Sequence, residues 1–134
     1  MSRITLIALV VIASSSVKAQ SFSFSENPVN VQANLNTQEN QYEVWGETMI
    51  TNNTEETLNI QWERIENQLP SCWFTTVFGV WIQFIPPVSE QEFELAPGDS
   101  GMLAVTIYTD TEWSTAYGGE ASIDLIITNI DDPT

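Results

Sequence analysis

The chain has 134 residues, no histidine and a single cysteine, Cys72. A Ser-His-Asp triad, a Cys-His pair and a zinc site of the usual His/Cys composition are therefore excluded within one chain. Cys72 cannot form an internal disulfide, so we expect a small buried apolar residue or, alternatively, a disulfide between chains. These absences remove most enzyme mechanisms. We expect a protein that is not an enzyme and has no cofactor, with calcium as the one possible exception.

Basic residues are almost as scarce. Arg3, Lys18 and Arg64 are the only cations, against 18 Asp and Glu, for a formal net charge of −15. Nucleic acids and anionic membrane surfaces are bound through clusters of Lys and Arg, so we expect neither as a partner. Arg64 should form a structural salt bridge with a carboxylate near its own strand.

No apolar run is long enough to span a bilayer. Residues 4–13 are apolar apart from Thr5, which is about half of the roughly twenty residues that a spanning helix needs. A basic start precedes this run, and Val17-Lys18-Ala19 follows it with the small-x-small pattern of a cleavage site. The pattern predicts a signal peptide over residues 1–19, cleaved between Ala19 and Gln20. We expect a secreted product, extracellular, at the cell surface or periplasmic, with no integral membrane segment.

Helical periodicity is absent over any long stretch, and short runs with period-two alternation take its place. Leu58, Ile60 and Trp62 alternate with polar residues. Residues 22–35 look like a first strand pair interrupted at Asn27-Pro28, and residues 96–101 have the Pro-Gly pattern of a turn between two strands. Seven to nine antiparallel strands in residues 20–134 predict a single all-β domain, an immunoglobulin-like β-sandwich with Trp62 in its core.

Three segments carry a family resemblance. Residues 50–65 contain Thr-Asn-Asn-Thr and Trp-Glu-Arg, residues 69–73 are Leu-Pro-Ser-Cys-Trp, and residues 93–101 contain Leu-Ala-Pro-Gly-Asp-Ser-Gly. Together they resemble secreted immunoglobulin-like domains of the Bacteroidetes. The resemblance implies a fold and an exported compartment. Such domains often have a cysteine pair where this chain has Phe78 and Trp81, and many precede a sorting domain of the type IX secretion system, which we do not expect in this chain.

The acidic residues suggest cation binding more than catalysis. Glycoside hydrolysis needs two carboxylates facing each other across a cleft, whereas most acids here occupy solvent-facing strand positions. Calcium binds carboxylate and backbone oxygens without His or Cys. Its candidate ligands are Asp99 in the predicted turn, Asp110 with Glu112, and Asp131 with Asp132 at the end. The alternative is that these residues belong to ordinary polar turns and a terminus.

Aromatic residues are the most distinctive feature. The chain has five tryptophans, and flat aromatic side chains can stack on sugars or anchor a protein partner. The candidates that lie in irregular segments are Trp73, Trp81, Trp113 and Tyr117. In the alternative interpretation, Trp73, Phe74, Phe78 and Phe84 fill the core, while Trp113 and Tyr117 cover one end.

These observations predict an exported binding or interaction module. The leading hypothesis is interaction with a protein or matrix partner, through an aromatic patch or by strand addition at an open sheet edge. The first alternative is polysaccharide binding through exposed tryptophans. The second is a structural spacer that calcium stabilises.

Overall fold

The computed structural model describes residues 4–14, 21–35, 43–71, 73–108 and 119–132, with only the backbone described for 4–14 and 32–35. Strands make up most of the described residues, and these residues contain no helix. Accordingly, nothing in these ranges has the helical length and apolar character that a membrane crossing requires. The cleavage site at Ala19 and Gln20, and Cys72, lie outside the described residues.

The described residues form ten strands in two five-stranded sheets. The strands are β1 (Ile4–Ser14), β2 (Phe22–Phe24), β3 (Val29–Leu35), β4 (Glu43–Asn52), β5 (Leu58–Gln68), β6 (Phe74–Gly79), β7 (Ile82–Phe84), β8 (Glu90–Leu95), β9 (Ser100–Tyr108) and β10 (Gly119–Asn129). Sheet 1 has the order β3-β1-β10-β5-β8, and sheet 2 has the order β2-β4-β9-β6-β7. The described pairings are antiparallel apart from the parallel pair β1 and β10. The all-β prediction is confirmed, and the arrangement is that of a β-sandwich.

The core lies between the sheets, on the faces that alternation predicts. Ile60 and Trp62 on β5 are fully buried, and so are Ile123, Leu125 and Ile127 on β10. Each such side chain contributes roughly 1.5–3 kcal/mol by leaving water. Since β5 and β10 are neighbours in sheet 1, their inward faces form one continuous apolar surface. Trp62 is thus a core tryptophan of a central strand, as expected.

The expected pairing of the first two alternating runs is wrong. β2 pairs with β4 in sheet 2, whereas β3 pairs with β1 in sheet 1. Residues 25–28 carry the chain from one sheet to the other. The Thr48 hydroxyl fixes this crossing, because it donates to the Glu26 carbonyl at 2.7 Å and accepts from the Glu26 amide at 3.0 Å. The Ala96–Asp99 turn is present as predicted and also joins strands of opposite sheets.

Arg64 connects the two sheets rather than pairing mainly with an acid. Its side chain is 6% exposed, and its nearest carboxylate oxygen, on Glu66, is 3.8 Å from Nε. Nη1 donates to the carbonyl of Thr75 in β6 at 3.0 Å, and Nη2 donates to the carbonyl of Val88 at 2.9 Å. The predicted ion pair exists, but the two carbonyl bonds are shorter. The bond to Thr75 joins β5 to sheet 2, and the bond to Val88 joins β5 to the segment between β7 and β8.

The loop between β4 and β5 is organised by one buried amide. Asn52 is fully buried, and its Nδ2 donates to the carbonyls of Glu56, Leu95 and Ala96 at 2.8, 2.9 and 3.1 Å. Its Oδ1 accepts from both the amide and the hydroxyl of Thr54. These bonds fold residues 52–56 against the end of β8, which explains why a polar cluster makes a tight connection here.

Candidate functional site

The aromatic candidates divide sharply by exposure. Trp81 is 69% exposed, whereas Trp73 is 5% exposed and belongs to the core. Trp73 therefore presents no ring face to a ligand, and the prediction that it is a ligand-binding surface residue is wrong. Trp113 and Tyr117 lie outside the described residues.

Local contacts explain the burial of Trp73. Its amide donates to the carbonyl of Pro70 at 3.2 Å, which turns the chain just before β6 begins. Its ring then lies close to Gly119, where a Cβ would come within 3.3 Å of Cη2. An isolated tryptophan in an irregular segment has no alternation that would predict its direction. Only the turn at Pro70 and the neighbouring strand β10 place its ring inside the sandwich.

The alternative in which the middle segment fills the core is correct only in part. Phe84 packs on Trp62 with ring centroids 5.4 Å apart. Phe74, in contrast, is 45% exposed, and Phe78 is half-buried. Both point away from the core because they alternate along β6 with the buried residues Thr75 and Val77.

An apolar surface covers the outer side of sheet 2. It comprises Trp45 and Met49 on β4, Met102 and Tyr108 on β9, and Phe74 and Phe78 on β6, and we call these six residues the aromatic face. β9 lies between β4 and β6, so all three strands are adjacent. The register pairs Met49 with Met102 and Phe74 with Tyr108. The aromatic face is therefore a property of three strands that are distant in sequence.

The rings of this face are held in place by the sheet. Phe74 and Tyr108 stack with centroids 4.8 Å apart and planes 11° from parallel. Trp45 is paired with Thr106, and Tyr108 lies two residues further along β9 on the same side of the sheet. Diagonal neighbours of this kind, here Trp45 and Tyr108, are about 7–8 Å apart. Trp45 is 56% exposed and Met49 is 41% exposed. Exposed apolar side chains grouped in this way, rather than scattered singly, are typical of an interaction surface.

Polar groups lie both within the aromatic face and beside it. Glu43 and Glu47 flank Trp45 along β4 and are exposed. On the β7 side, Gln83 Nε2 donates to the Thr76 hydroxyl at 2.9 Å and to the Tyr108 hydroxyl at 3.4 Å. Arg64 is the one Lys or Arg in the described ranges, and its side chain is buried. Within those ranges the charged groups at this face are thus carboxylates.

A strained turn holds Trp81 at one end of sheet 2. Val80 has a φ of 67°, a left-handed conformation that is an outlier for a β-branched residue. The turn is maintained because the Val80 amide donates to the Met102 carbonyl at 2.9 Å and its side chain packs closely on Gly101. Such strain costs on the order of 1–3 kcal/mol and is commonest at functional sites. Trp81 follows Val80 in this turn, between β6 and β7, and its own amide donates to the Gly79 carbonyl at 2.7 Å.

The acidic candidates do not form a cluster in the described part of the chain. Asp99 lies in the turn between β8 and β9, and Asp131 and Asp132 follow β10; all three are exposed. Asp131 Oδ2 accepts from Asn59 Nδ2 at 3.0 Å. No group of three possible metal ligands occurs among the described residues. Asp110 and Glu112 lie outside them.

The exposed tryptophan of the aromatic face, Trp45, was not among the predicted ligand-binding residues. Those predictions favoured irregular segments, whereas Trp45 alternates cleanly along β4. One signal was available in the sequence: Trp45 has the same parity as Glu43 and Glu47, opposite to Val44. A strand face with two glutamates faces water, so the tryptophan between them does too.

Comparisons with known proteins add no identification. No protein-family model matches the chain, and no curated protein matches it. The resemblance to secreted immunoglobulin-like domains of the Bacteroidetes therefore stays an expectation.

Proposed function

We propose that this chain is an exported immunoglobulin-like module without catalytic activity that binds a protein or matrix partner through the aromatic face. The observation that carries the proposal is the grouping of Trp45, Met49, Phe74 and Tyr108 on the solvent side of one sheet. The supporting principle is that water exposure of such a group is unfavourable and is relieved when a complementary apolar surface covers it.

The composition of the face favours a protein partner. Tryptophan, tyrosine, phenylalanine and methionine are the residues enriched at protein interfaces, while lysine and aspartate are depleted there. The face contains all four of the enriched types, and Glu43 and Glu47 alternate with Trp45 and Met49 along β4. Removal of residues 1–19 would also leave one cation against 18 acids, a formal charge of −17. The expected partner therefore presents an apolar patch bordered by Lys or Arg.

Polysaccharide binding is the second candidate, and one feature favours it. Trp45 has an exposed ring, and the hydroxyls of Thr106 and Tyr108 and the amide of Gln83 lie on the same side of sheet 2. A sugar would stack on the ring and form hydrogen bonds with these groups. The stacked Phe74 and Tyr108 rings cover each other's faces, which leaves less flat surface for a sugar. A calcium-stabilised spacer is a third candidate, supported only by the acidity of the chain.

The test compares surface variants of the exported protein. Trp45→Ala with Phe74→Ala removes two rings of the aromatic face, and Ile65→Ala on sheet 1 is the matched control, since Ile65 is 37% exposed on β5. Each protein is tested against the extracellular and surface proteins of its own cell, against a polysaccharide panel, and with calcium or chelator. Circular dichroism confirms that each variant is folded.

A protein partner that binds the parent and Ile65→Ala, but binds the double variant at least about tenfold more weakly, supports the proposal. Polysaccharide binding that is lost in the double variant would replace it with the second candidate. If no protein or polysaccharide binds and calcium raises Tm, the spacer hypothesis is favoured, because a ligand stabilises only the state that it binds. Equal partner binding by all three proteins would refute the role of the aromatic face.

A further inference from the structure

Strand β1 lies between β3 and β10 in sheet 1. We call the space that would remain between β3 and β10 without β1 the gap. It pairs with β10 in parallel through nine residue pairs and with β3 in antiparallel through seven. In the described sheet order, β3 has β1 as its only neighbour. β1 therefore provides all of the ladder hydrogen bonding between β3 and the rest of sheet 1.

The same residues have the sequence of a signal peptide. Residues 4–13 are its apolar region, and predicted cleavage after Ala19 would remove all of β1. The backbone groups of β3 and β10 that face β1 would then lose their partners together. The inward side chains of β10 include Ala121, Ile123 and Leu125, each at most 2% exposed while β1 is present. An open strand edge with apolar neighbours readily pairs with another chain.

Closure of the gap by β3 itself is opposed by its attachments. To reach β10, β3 would have to move by about one strand spacing, roughly 4.8 Å. Its first residue, Val29, is 4% exposed in the core. The preceding segment is bound to β4 through the two hydrogen bonds between Glu26 and the Thr48 hydroxyl. These contacts hold the start of β3 in place and leave a site that is one strand wide.

We propose that, after removal of residues 1–19, the gap between β3 and β10 accepts an extended segment of seven to nine residues from a second exported polypeptide. The segment is apolar at the positions opposite the buried Ala121, Ile123 and Leu125. It is free of proline, because both of its edges must donate and accept ladder hydrogen bonds. Asp124 and Glu120 of β10, opposite Val11 and Ile7 in the register, favour Lys or Arg at those two positions of the segment. The proposal rests on the proposed export, and on no property of the aromatic face.

The first step of the test determines the N-terminus of the exported protein by mass spectrometry. A start at Gln20 establishes the form that the proposal requires. A start at Met1 or Ser2 would overturn both the export by cleavage and this proposal, and would make β1 a permanent strand. Hydrogen exchange of the β10 amides then reports whether the gap is open. Strong protection of both edges of β10 without any added segment would show that the chain fills the gap itself, and would overturn the proposal alone.

The second step supplies a probe strand. The peptide of residues 4–14, with terminal lysines for solubility, is added to the exported protein, and the same peptide with Leu9→Pro is the control. The expected result is binding of one peptide per chain and a rise in Tm of roughly 10 °C at a hundredfold excess over Kd. No rise with the probe peptide, or an equal rise with the proline peptide, contradicts a strand-acceptor site.

A disulfide test checks the register. Ser122 of β10 is paired with Leu9, and Ile126 is paired with Ala13. In a protein with Ser122→Cys and Cys72→Ser, a peptide carrying Leu9→Cys should form a disulfide at least about tenfold faster than one carrying Ala13→Cys, because only the first pair of thiols comes within bonding distance. Equal rates would show non-specific association with the exposed edge and would refute insertion into the gap.

Discussion

Replacement of Arg64 by alanine removes a buried charged side chain that joins β5 of sheet 1 to β6 of sheet 2. Its guanidinium donates to the carbonyls of Thr75 and Val88 at 3.0 and 2.9 Å, and it is 6% exposed. Hydrogen bonds from a charged group contribute about 1.5–3 kcal/mol each. Loss of both, with two carbonyls left unpaired near the core, should lower the free energy of unfolding by about 3–5 kcal/mol. That is a large part of the 5–15 kcal/mol typical of a domain.

Two further variants separate the carbonyl bonds from the ion pair. Arg64→Lys keeps the charge but lacks the planar fork that reaches both carbonyls, so we expect a loss of about 2 kcal/mol. In the parent protein, Glu66 Oε1 accepts from the Thr75 hydroxyl at 2.8 Å. Glu66→Gln removes the carboxylate charge, but its amide oxygen can still accept this hydrogen bond. Glu66 is 36% exposed and 3.8 Å from Arg64, so this variant should lose less than about 1 kcal/mol.

Urea unfolding followed by tryptophan fluorescence provides the measurement, because Trp62 is fully buried in the folded protein. With a slope of about 2 kcal/mol per molar urea, Arg64→Ala should lower the midpoint by roughly 2 M. A loss below about 1 kcal/mol in Arg64→Ala would refute the assignment of the two carbonyl bonds as a major link between the sheets. A loss in Glu66→Gln as large as that in Arg64→Ala would show instead that the ion pair carries the stabilisation.

The same assay tests two other positions. Asn52→Ala removes the amide that binds the carbonyls of Leu95 and Ala96, and it should lower the free energy of unfolding by about 2–4 kcal/mol. Asn52→Asp should lower it further, because a carboxylate would face those carbonyls. An Asn52→Asp variant as stable as the parent would contradict this account. Gly79→Ala would place a Cβ 2.6 Å from Trp62 Nε1, so we expect a loss of about 1–3 kcal/mol and a shifted fluorescence maximum. An unchanged spectrum would mean that the close approach to Trp62 is absent.

Much of the fold could be predicted from local pattern. Alternation identified the inward residues of β5 and β10, and all of those named are buried: Leu58, Ile60, Trp62, Ile123, Leu125 and Ile127. The Pro-Gly turn was also correct, since Gly98 adopts a φ of 74°. These features were predictable because side-chain direction in a strand and backbone conformation in a turn depend on residues close in sequence.

Features that depend on partners distant in sequence were less predictable. The separation of β2 and β3 into different sheets depends on Thr48, more than twenty positions later in the chain. The aromatic face arises because β9 brings β4 next to β6, and Trp73 is buried because its ring meets Gly119. No local pattern contains these contacts.

The sequence by itself determined which residues of β5 and β10 face the core, where the chain turns, and that it contains no histidine. These properties follow from residue type, local spacing and charge. The tertiary structure alone decided which strands are neighbours, and so which exposed rings form one surface, which carbonyls Arg64 binds, and which gap β1 fills. The physical reason is that strand order is set by packing and hydrogen bonding between distant segments, whose free energies no single segment contains.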